Sequence, residues 1–110
     1  MEGVHLRLFV LESQRHEGIL LYEWLLEEAK ALGIKGGAAF REIAGYGQRN
    51  RLHQETFFEL AGDLPVEVMF VTSEEMANTL LLRLESEKVP LFYIRSRVEY
   101  GRIGESSRRS

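Results

Sequence analysis

The first segment of the chain alternates between apolar residues and residues of mixed character. Apolar side chains occupy every second position from Val4 to Val10, and the positions between them, from His5 to Leu11, hold both polar and apolar groups. A period of two is typical of a β-strand, because successive side chains point to opposite faces of the sheet. The pattern therefore predicts a first strand with one apolar face and one mixed face.

Two later segments have helical spacing instead. In the first, apolar positions recur every three or four residues with only Glu28 interrupting them, and Gly33 is a suitable end. In the second, Thr72 and Ser73 precede two acidic residues, as at the start of a capped helix. The apolar positions of the two predicted helices are Leu21, Trp24, Leu25, Ala29 and Leu32, and Met76, Leu80, Leu81 and Leu84.

Three further strands complete the predicted elements. Glycines bracket the segment from Gly36 to Gly47, which is strand-like between them and runs into a polar, basic loop. We expect a third strand to follow Pro65 and a fourth to extend from Leu91 to Tyr100. The segment between strand one and helix one is polar and is predicted as a simple connection.

The resulting order, β-α-β-β-α-β, predicts an α+β ferredoxin-like sandwich, in which two helices cover one face of a four-stranded antiparallel sheet. Residues 1–110 are expected to form a single domain with an ordered core of about residues 4–100 and a tail, 101–110, that frays. The uncovered face retains apolar groups, which favours burial between subunits. A monomer with a mixed open face is the alternative.

Composition and net charge argue against several classes of protein. The chain has 110 residues, of which 45% are hydrophobic and 28% charged, as in an ordinary globular domain. The absence of cysteine excludes disulfides and thiolate chemistry and fits the cytoplasm. No apolar run approaches the roughly 20 residues that cross a bilayer, and a net charge of -3 argues against a general nucleic-acid binder.

The glycine-bracketed loop is the first candidate ligand site. Backbone N–H groups at Gly45 and Gly47 could face a phosphate, with Arg41, Arg49 and Arg51 nearby. The alternative is a turn that simply requires glycine. That alternative is favoured by sequence alone, because a lone Gly-x-Gly lacks the spacing of a P-loop and no helix follows it.

The fourth strand supplies a second candidate. Arg95 and Arg97 are two residues apart, so both should project from one face and could reach a shared anion or a neighbouring subunit's carboxylate. Arg102 is a further candidate for this set. Ordinary ion pairs with Glu99 or Glu67 are the alternative.

Metal and enzyme chemistry have little support in the sequence. His5, His16 and His53 are far apart and share no spacing with a carboxylate that marks a zinc or iron site, so we expect no metal site. His53 is kept as a candidate because it lies in the polar loop. Adjacent carboxylates on predicted helices are solvated, and the serines lack a nucleophile-elbow context, so we do not expect an enzyme.

The run from Gly36 to Gly47 (GGAAFREIAGYG), with His53 and the segment Asp63–Val66, resembles a family of small prokaryotic proteins of unknown function with a P-II-like fold. The resemblance covers nearly the whole chain, from Val4 to about Tyr100. Glu42 is a departure, since family members more often have glycine there. No activity is established by this resemblance.

The resemblance implies a homotrimer like the P-II signal proteins and their divalent-cation-tolerance relatives. P-II proteins bind adenine nucleotides between subunits and contact a transporter or enzyme through the loop between strands two and three, here about Gly45 to Asp63. A membrane transporter or another protein is thus the implied partner, and Lys88 resembles in placement a loop that contacts phosphates.

Three classes of function remain open. The first is a P-II-like regulatory protein that binds a nucleotide, with an adenine nucleotide as the candidate effector, or another small anion. The second is a ligand-free structural or adaptor oligomer, and the third a small enzyme or metal-handling protein. For the first class, the candidate ligand-binding residues are Arg41, Gly45, Gly47, Arg49, Arg51, His53, Lys88, Arg95 and Arg97.

Overall fold

The computed structural model describes residues 1–44 and 63–104. In chain order its elements are β1 (Glu2–Leu11), β2 (Arg15–His16), β3 (Ile19–Leu20), α1 (Leu21–Leu32), β4 (Gly37–Arg41), β5 (Pro65–Thr72), α2 (Glu74–Ser86) and β6 (Phe92–Glu99). Strand one, both helices and strands three and four therefore lie where the sequence predicts them, with bounds that differ by a few residues.

The main sheet has the strand order β4-β5-β1-β6, and each neighbouring pair is antiparallel. The first and third long strands thus occupy the centre, and β4 and β6 form the two edges. Together with the two helices on one face, this confirms the predicted ferredoxin-like α+β architecture. The two edge strands matter for function because, among the described residues, each has one side without a neighbouring strand.

The core lies between the sheet and the two helices. The alternation predicted for β1 is confirmed, since every second residue from Val4 to Val10 is buried and the residues between them are partly exposed. The same alternation occurs in β5, where Val66, Val68 and Phe70 are buried. The helices contribute to this core Leu21, Trp24, Leu25, Ala29, Ala77, Leu80 and Leu84.

Both predicted helix signals are confirmed. Gly33 ends α1 in the left-handed conformation, with φ of 101°, and its N–H donates to the carbonyls of Ala29 and Lys30. At the start of α2, the Ser73 hydroxyl accepts a hydrogen bond of 3.1 Å from the backbone N–H of Met76. These two signals locate the ends of the helices that cover the sheet.

Two predictions on local structure were wrong. The segment predicted as a plain connection after β1 contains β2, which pairs with β3 in a small hairpin through a turn at Glu17 and Gly18. Strand two was predicted to extend to Gly47, but β4 ends at Arg41 and residues 42–44 are not in a strand. The rest of that segment, with Gly45 and Gly47, lies outside the described residues.

The face of the sheet away from the helices is called the open face here. Opposite residues of antiparallel strands point to the same side of a sheet, so the register groups the open-face residues into rows that cross all four strands. One row consists of Phe40, Glu67, Phe9 and Phe92, and the next of Ala38, Met69, Arg7 and Ile94.

Aromatic and charged groups are interleaved on the open face. The rings of Phe9 and Phe92 are 5.7 Å apart, and the Arg7 guanidinium lies 5.3 Å from the Phe9 ring centre. Arg7 also pairs with Glu67 at 2.9 Å. None of the helices described is long and apolar enough to cross a membrane.

Candidate functional site

The predicted arginine pair of the fourth strand lines a groove between β6 and the first turns of α2. Arg95 lies opposite Leu6 and Arg97 opposite Val4, and both of these β1 residues are buried on the helix side. The two arginines therefore share the helix-side face, as predicted. The groove has a volume of about 320 Å³ and is lined by Val4, Glu74, Asn78, Arg95, Ser96 and Arg97.

Hydrogen bonding positions one of these arginines. Arg95 Nη1 donates to Asn78 Oδ1 at 2.8 Å, so its guanidinium is held against α2. Arg97 continues into a second depression of about 460 Å³, where Glu2, Glu74 and Glu99 also line the wall. The Arg95 end of the groove is consequently the better place for an anion, because carboxylates surround the Arg97 end.

Of the two alternative partners proposed for these arginines, Glu99 lines the same depression as Arg97, whereas Glu67 is engaged elsewhere. Glu67 pairs with Arg7 on the open face, and that hydrogen bond raises the pKa of the Arg7 guanidinium above its ordinary value. Asn78 was not predicted from the sequence as a contributor to the groove. Its position four residues after Glu74, which places both on one helix face, was the available signal.

Arg41 lies at a different corner, at the end of β4. Its Nε donates to Glu12 Oε1 at 3.2 Å, and a second contact joins Nη2 to the other carboxylate oxygen. This hydrogen bond raises the pKa of Arg41 and lowers the pKa of Glu12 from its ordinary value. A ligand that binds Arg41 from the Glu12 side must therefore compete with an existing carboxylate.

Hydrogen bonds near Arg41 hold the residues on either side of the segment 45–62 at the same corner. Ser13 donates to the Asp63 carboxylate from its backbone N–H at 3.0 Å and from its hydroxyl at 2.6 Å. Backbone N–H groups of Glu12 and Glu42 donate to the carbonyls of Leu64 and Pro65. The base of the predicted partner-binding loop is thus a defined part of the structure.

Lys88 lies in the turn after α2 and has a positive φ of 58°. Gln14 Nε2 donates to the carbonyl of Pro90 at 3.3 Å, which ties this connection to the turn that follows β1. Lys88 is therefore at the same end of the sheet as the loop base. Arg97 and Glu74 lie at the opposite end of α2.

The structure does not bring all the predicted site residues together within one subunit. Arg41 is on edge strand β4 and Arg95 on edge strand β6, with β5 and β1 between them. With strands about 4.8 Å apart, the two edges are separated by about 14 Å. The remaining candidates lie outside the described residues; these are Gly45, Gly47, Arg49, Arg51 and His53.

A cluster that was not predicted from the sequence lies next to the β2–β3 hairpin. His16 Nε2 is 3.2 Å from Glu87 Oε1 and 3.9 Å from Glu17 Oε2. His16 and Glu87 are 71 residues apart in the chain. Spacing along the sequence therefore gave no signal for their contact.

Comparison with known proteins identifies the family. The family described as DUF190, "Uncharacterized ACR, COG1993", matches residues 3–99. A UPF0166 protein of Aquifex aeolicus (strain VF5) is 37% identical over 82 residues, which cover 74% of this chain and 78% of the relative. A UPF0166 protein of Methanocaldococcus jannaschii is 33% identical over 79 residues, covering 72% of each chain.

Solved structures support the fold. CPII from Thiomonas intermedia K12, bound to ADP, AMP and acetate, matches with a TM-score of 0.58 and 15% identity over 93% of both chains. A protein of Thermus thermophilus described as a candidate PII-like signalling protein matches with a TM-score of 0.54 and 20% identity over 88% of both chains. The shared fold is PII-like. The family match over most of the chain and the two relatives above 30% identity show that this chain belongs to the DUF190 (UPF0166) family.

Proposed function

We propose that this protein is a PII-like regulatory protein that binds an adenine nucleotide or a similar small anion between subunits. In this proposal it contacts a partner protein, such as a membrane transporter, through the loop after β4, and acts in the cytoplasm as a binder rather than an enzyme. One observation carries the proposal: cationic side chains lie on both edge strands, Arg41 on β4 and Arg95 with Arg97 on β6.

A polyphosphate is bound best by several charged donors that converge on it. In one subunit the two edges are too far apart for a single small anion to reach both. A second subunit that places its β4 edge beside the β6 groove of the first would bring Arg41 close to Arg95. The proposed site therefore combines the two edges across a subunit boundary.

Relatives of the same fold support the choice of ligand. CPII has been crystallised with ADP and AMP, and also with ADP and bicarbonate. These ligands are small anions, opposite in charge to the arginines that line the groove between β6 and α2. Identity to CPII is only 15% to 18% in these two structures, so the nucleotide is carried over to this chain as a proposal.

The open face supports association of subunits. Phe40, Phe92 and Ile94 are 55%, 48% and 37% exposed, and they lie in adjoining rows with Phe9. An extended apolar surface of this kind is costly in water and is commonly covered by another copy of the chain. We take the homotrimer from the family resemblance as the assembly.

The proposed mechanism links the anion to the loop through Arg41. In the subunit described here Glu12 holds Arg41, and Ser13 holds Asp63 at the other end of the loop base. An anion that displaces Glu12 from the Arg41 guanidinium would break the ion pair that lies beside the base of the loop. The ligand would act by a population shift. It can favour one loop arrangement only by the difference between its binding free energies for the two arrangements.

Calorimetric titration of the purified oligomer with ATP, ADP and AMP tests the proposal. We expect saturable binding near one nucleotide per subunit for the wild type, and at least about tenfold weaker binding for Arg41→Gln and Arg95→Gln, because each loses a charge-assisted contact. Lys30→Gln is the matched control, because it removes one positive charge at an exposed position of α1, and it should bind the nucleotide as the wild type does.

Two results would count against the proposal. If the folded oligomer binds none of the nucleotides and no small anion such as bicarbonate, a ligand-free adaptor becomes the better account. If binding occurs but both arginine variants match Lys30→Gln, the ligand lies elsewhere and the assignment of the two edges is wrong.

A further inference from the structure

We propose that His16, Glu17 and Glu87 form a binding site for a divalent first-row transition-metal ion, with Zn²⁺ as the best candidate. The three side chains meet where the β2–β3 hairpin contacts the end of α2. This site is separate from the arginines of the proposed nucleotide site. The site is inferred from the chemical type of the three ligand atoms, the distances between them and the packing that positions their side chains.

The spacing of the donors fits a single ion. One nitrogen and two carboxylate oxygens lie within 4.8 Å of one another, and the two distances from His16 Nε2 are 3.2 Å to Glu87 and 3.9 Å to Glu17. A tetrahedral ion about 2.0–2.2 Å from each ligand separates its donor atoms by about 3.4 Å. Only small rotations of the carboxylates are needed, and water can complete the coordination.

Packing fixes two of the three ligands before any ion arrives. The His16 ring lies 4.3 Å from the Trp24 ring centre, and its side chain is only 15% exposed. Glu87 uses one oxygen towards His16, while the other lies 3.6 Å from Arg83 Nη1. Glu17 is 70% exposed and extends from the hairpin turn, so it can swing to close the site.

The donor groups themselves favour a cation. The Arg83 guanidinium is shared between Glu28, to which its Nε donates at 2.8 Å, and Glu87, whose nearer oxygen is 3.6 Å from Nη1. The other oxygen of Glu87 faces His16 and remains available to an ion. An imidazole with two carboxylates suits Zn²⁺, Co²⁺ or Ni²⁺ better than Ca²⁺, which prefers oxygen ligands alone.

A bound ion would join the hairpin to the end of α2. Because Glu87 is 71 residues from His16 in the chain, the complete site exists only in the folded protein, and binding should raise the melting temperature. A simple ion pair between His16 and Glu87 is the competing account. That ion pair needs no contribution from Glu17, which gives the two accounts different expectations.

Trp24 provides a direct optical test, because it is the only tryptophan in the chain and touches His16. Tag-free oligomer is titrated with Co²⁺ while tryptophan fluorescence is recorded. We expect quenching that saturates at one equivalent per chain and is reversed by Zn²⁺, whose filled d shell does not quench in this way. An absence of saturable quenching would overturn the site.

Variants locate the ion. Glu17→Gln and Glu87→Gln should each weaken Co²⁺ and Zn²⁺ binding by about tenfold or more, since each removes a charged ligand. Glu85→Gln removes one negative charge at an exposed position of α2 and should bind Co²⁺ and Zn²⁺ as the wild type does. If Glu17→Gln also binds like the wild type, Glu17 is not a ligand and the proposed three-residue site is wrong. Circular dichroism confirms that each variant is folded.

Discussion

Gly37 shows how a single small residue positions an edge strand on the core. A Cβ atom at this position would lie 2.6 Å from Phe70 Cδ1 and 3.2 Å from Leu26 Cδ2. Phe70 is only 1% exposed, so its ring cannot move away easily. The absence of a side chain at Gly37 is therefore needed for Phe70 to lie beneath β4.

We predict that Gly37→Ala lowers the free energy of unfolding by about 1–3 kcal/mol, because the added methyl overpacks the core at Phe70. Gly36→Ala is the matched control, since a Cβ there meets nothing within 4 Å. Chemical denaturation of both variants checks the difference. Equal stability of the two variants would show that Phe70 can shift without cost.

Some residue-scale features could be predicted from sequence and others could not. Gly33 and Ser73 were predicted as helix ends because capping depends on the residue and its immediate neighbours. The role of Gly37 depends on Phe70, which reaches it only after β4 pairs with β5. The contact of His16 with Glu87 likewise requires the complete fold.

At the scale of elements, the ion pair between Glu12 and Arg41 joins the end of β1 to the end of β4. The hydrogen bond from Arg41 lowers the pKa of Glu12 from its ordinary value of 4.5. A carboxyl group with a lowered pKa stabilises the folded state above the unfolded pKa. That contribution is lost as the pH falls through the folded pKa.

We therefore predict that Glu12→Gln lowers the melting temperature near pH 7 and that its difference from the wild type shrinks as the pH falls below about 4. The effect should be small because the pair is exposed to solvent. Glu27→Gln on α1 controls for the loss of one negative charge. A difference that stays constant from neutral to acidic pH would contradict the role of this ion pair.

Long elements were predictable because their hydrophobic period repeats several times, as in β1 and α1. The strands β2 and β3 have two residues each, which is too short for any period to be visible. The end of β4 was also misplaced. Its strand-like sequence continues past Arg41, but its pairing with β5 does not.

For the whole molecule, the open face makes a specific prediction. Phe92→Glu places a charge next to Phe9 on that face, where Arg7 is already paired with Glu67, and should shift the oligomer towards monomer because burying an unpaired charge is costly. Leu82→Glu is the control, since Leu82 is 69% exposed on α2. Light scattering gives the masses. An unchanged mass for Phe92→Glu would show that the open face is not the subunit contact.

The fold was predictable from the order of elements, but the grouping of the site residues was not. The separation of Arg95 and Arg97 by two positions was enough to place them on one face of a strand. Their relation to Arg41 depends on the strand order, which puts β4 and β6 at opposite edges. The proposal of a site shared between subunits follows from that order.

Mixing two variants tests the shared site most directly. Arg41→Gln and Arg95→Gln oligomers are unfolded together, refolded as a mixture and titrated with ADP. In a randomly mixed ring, about a quarter of the subunit boundaries pair an intact Arg41 with an intact Arg95. We predict that this fraction of tight sites returns. If the mixture binds no better than either variant alone, the two arginines do not form one site across subunits.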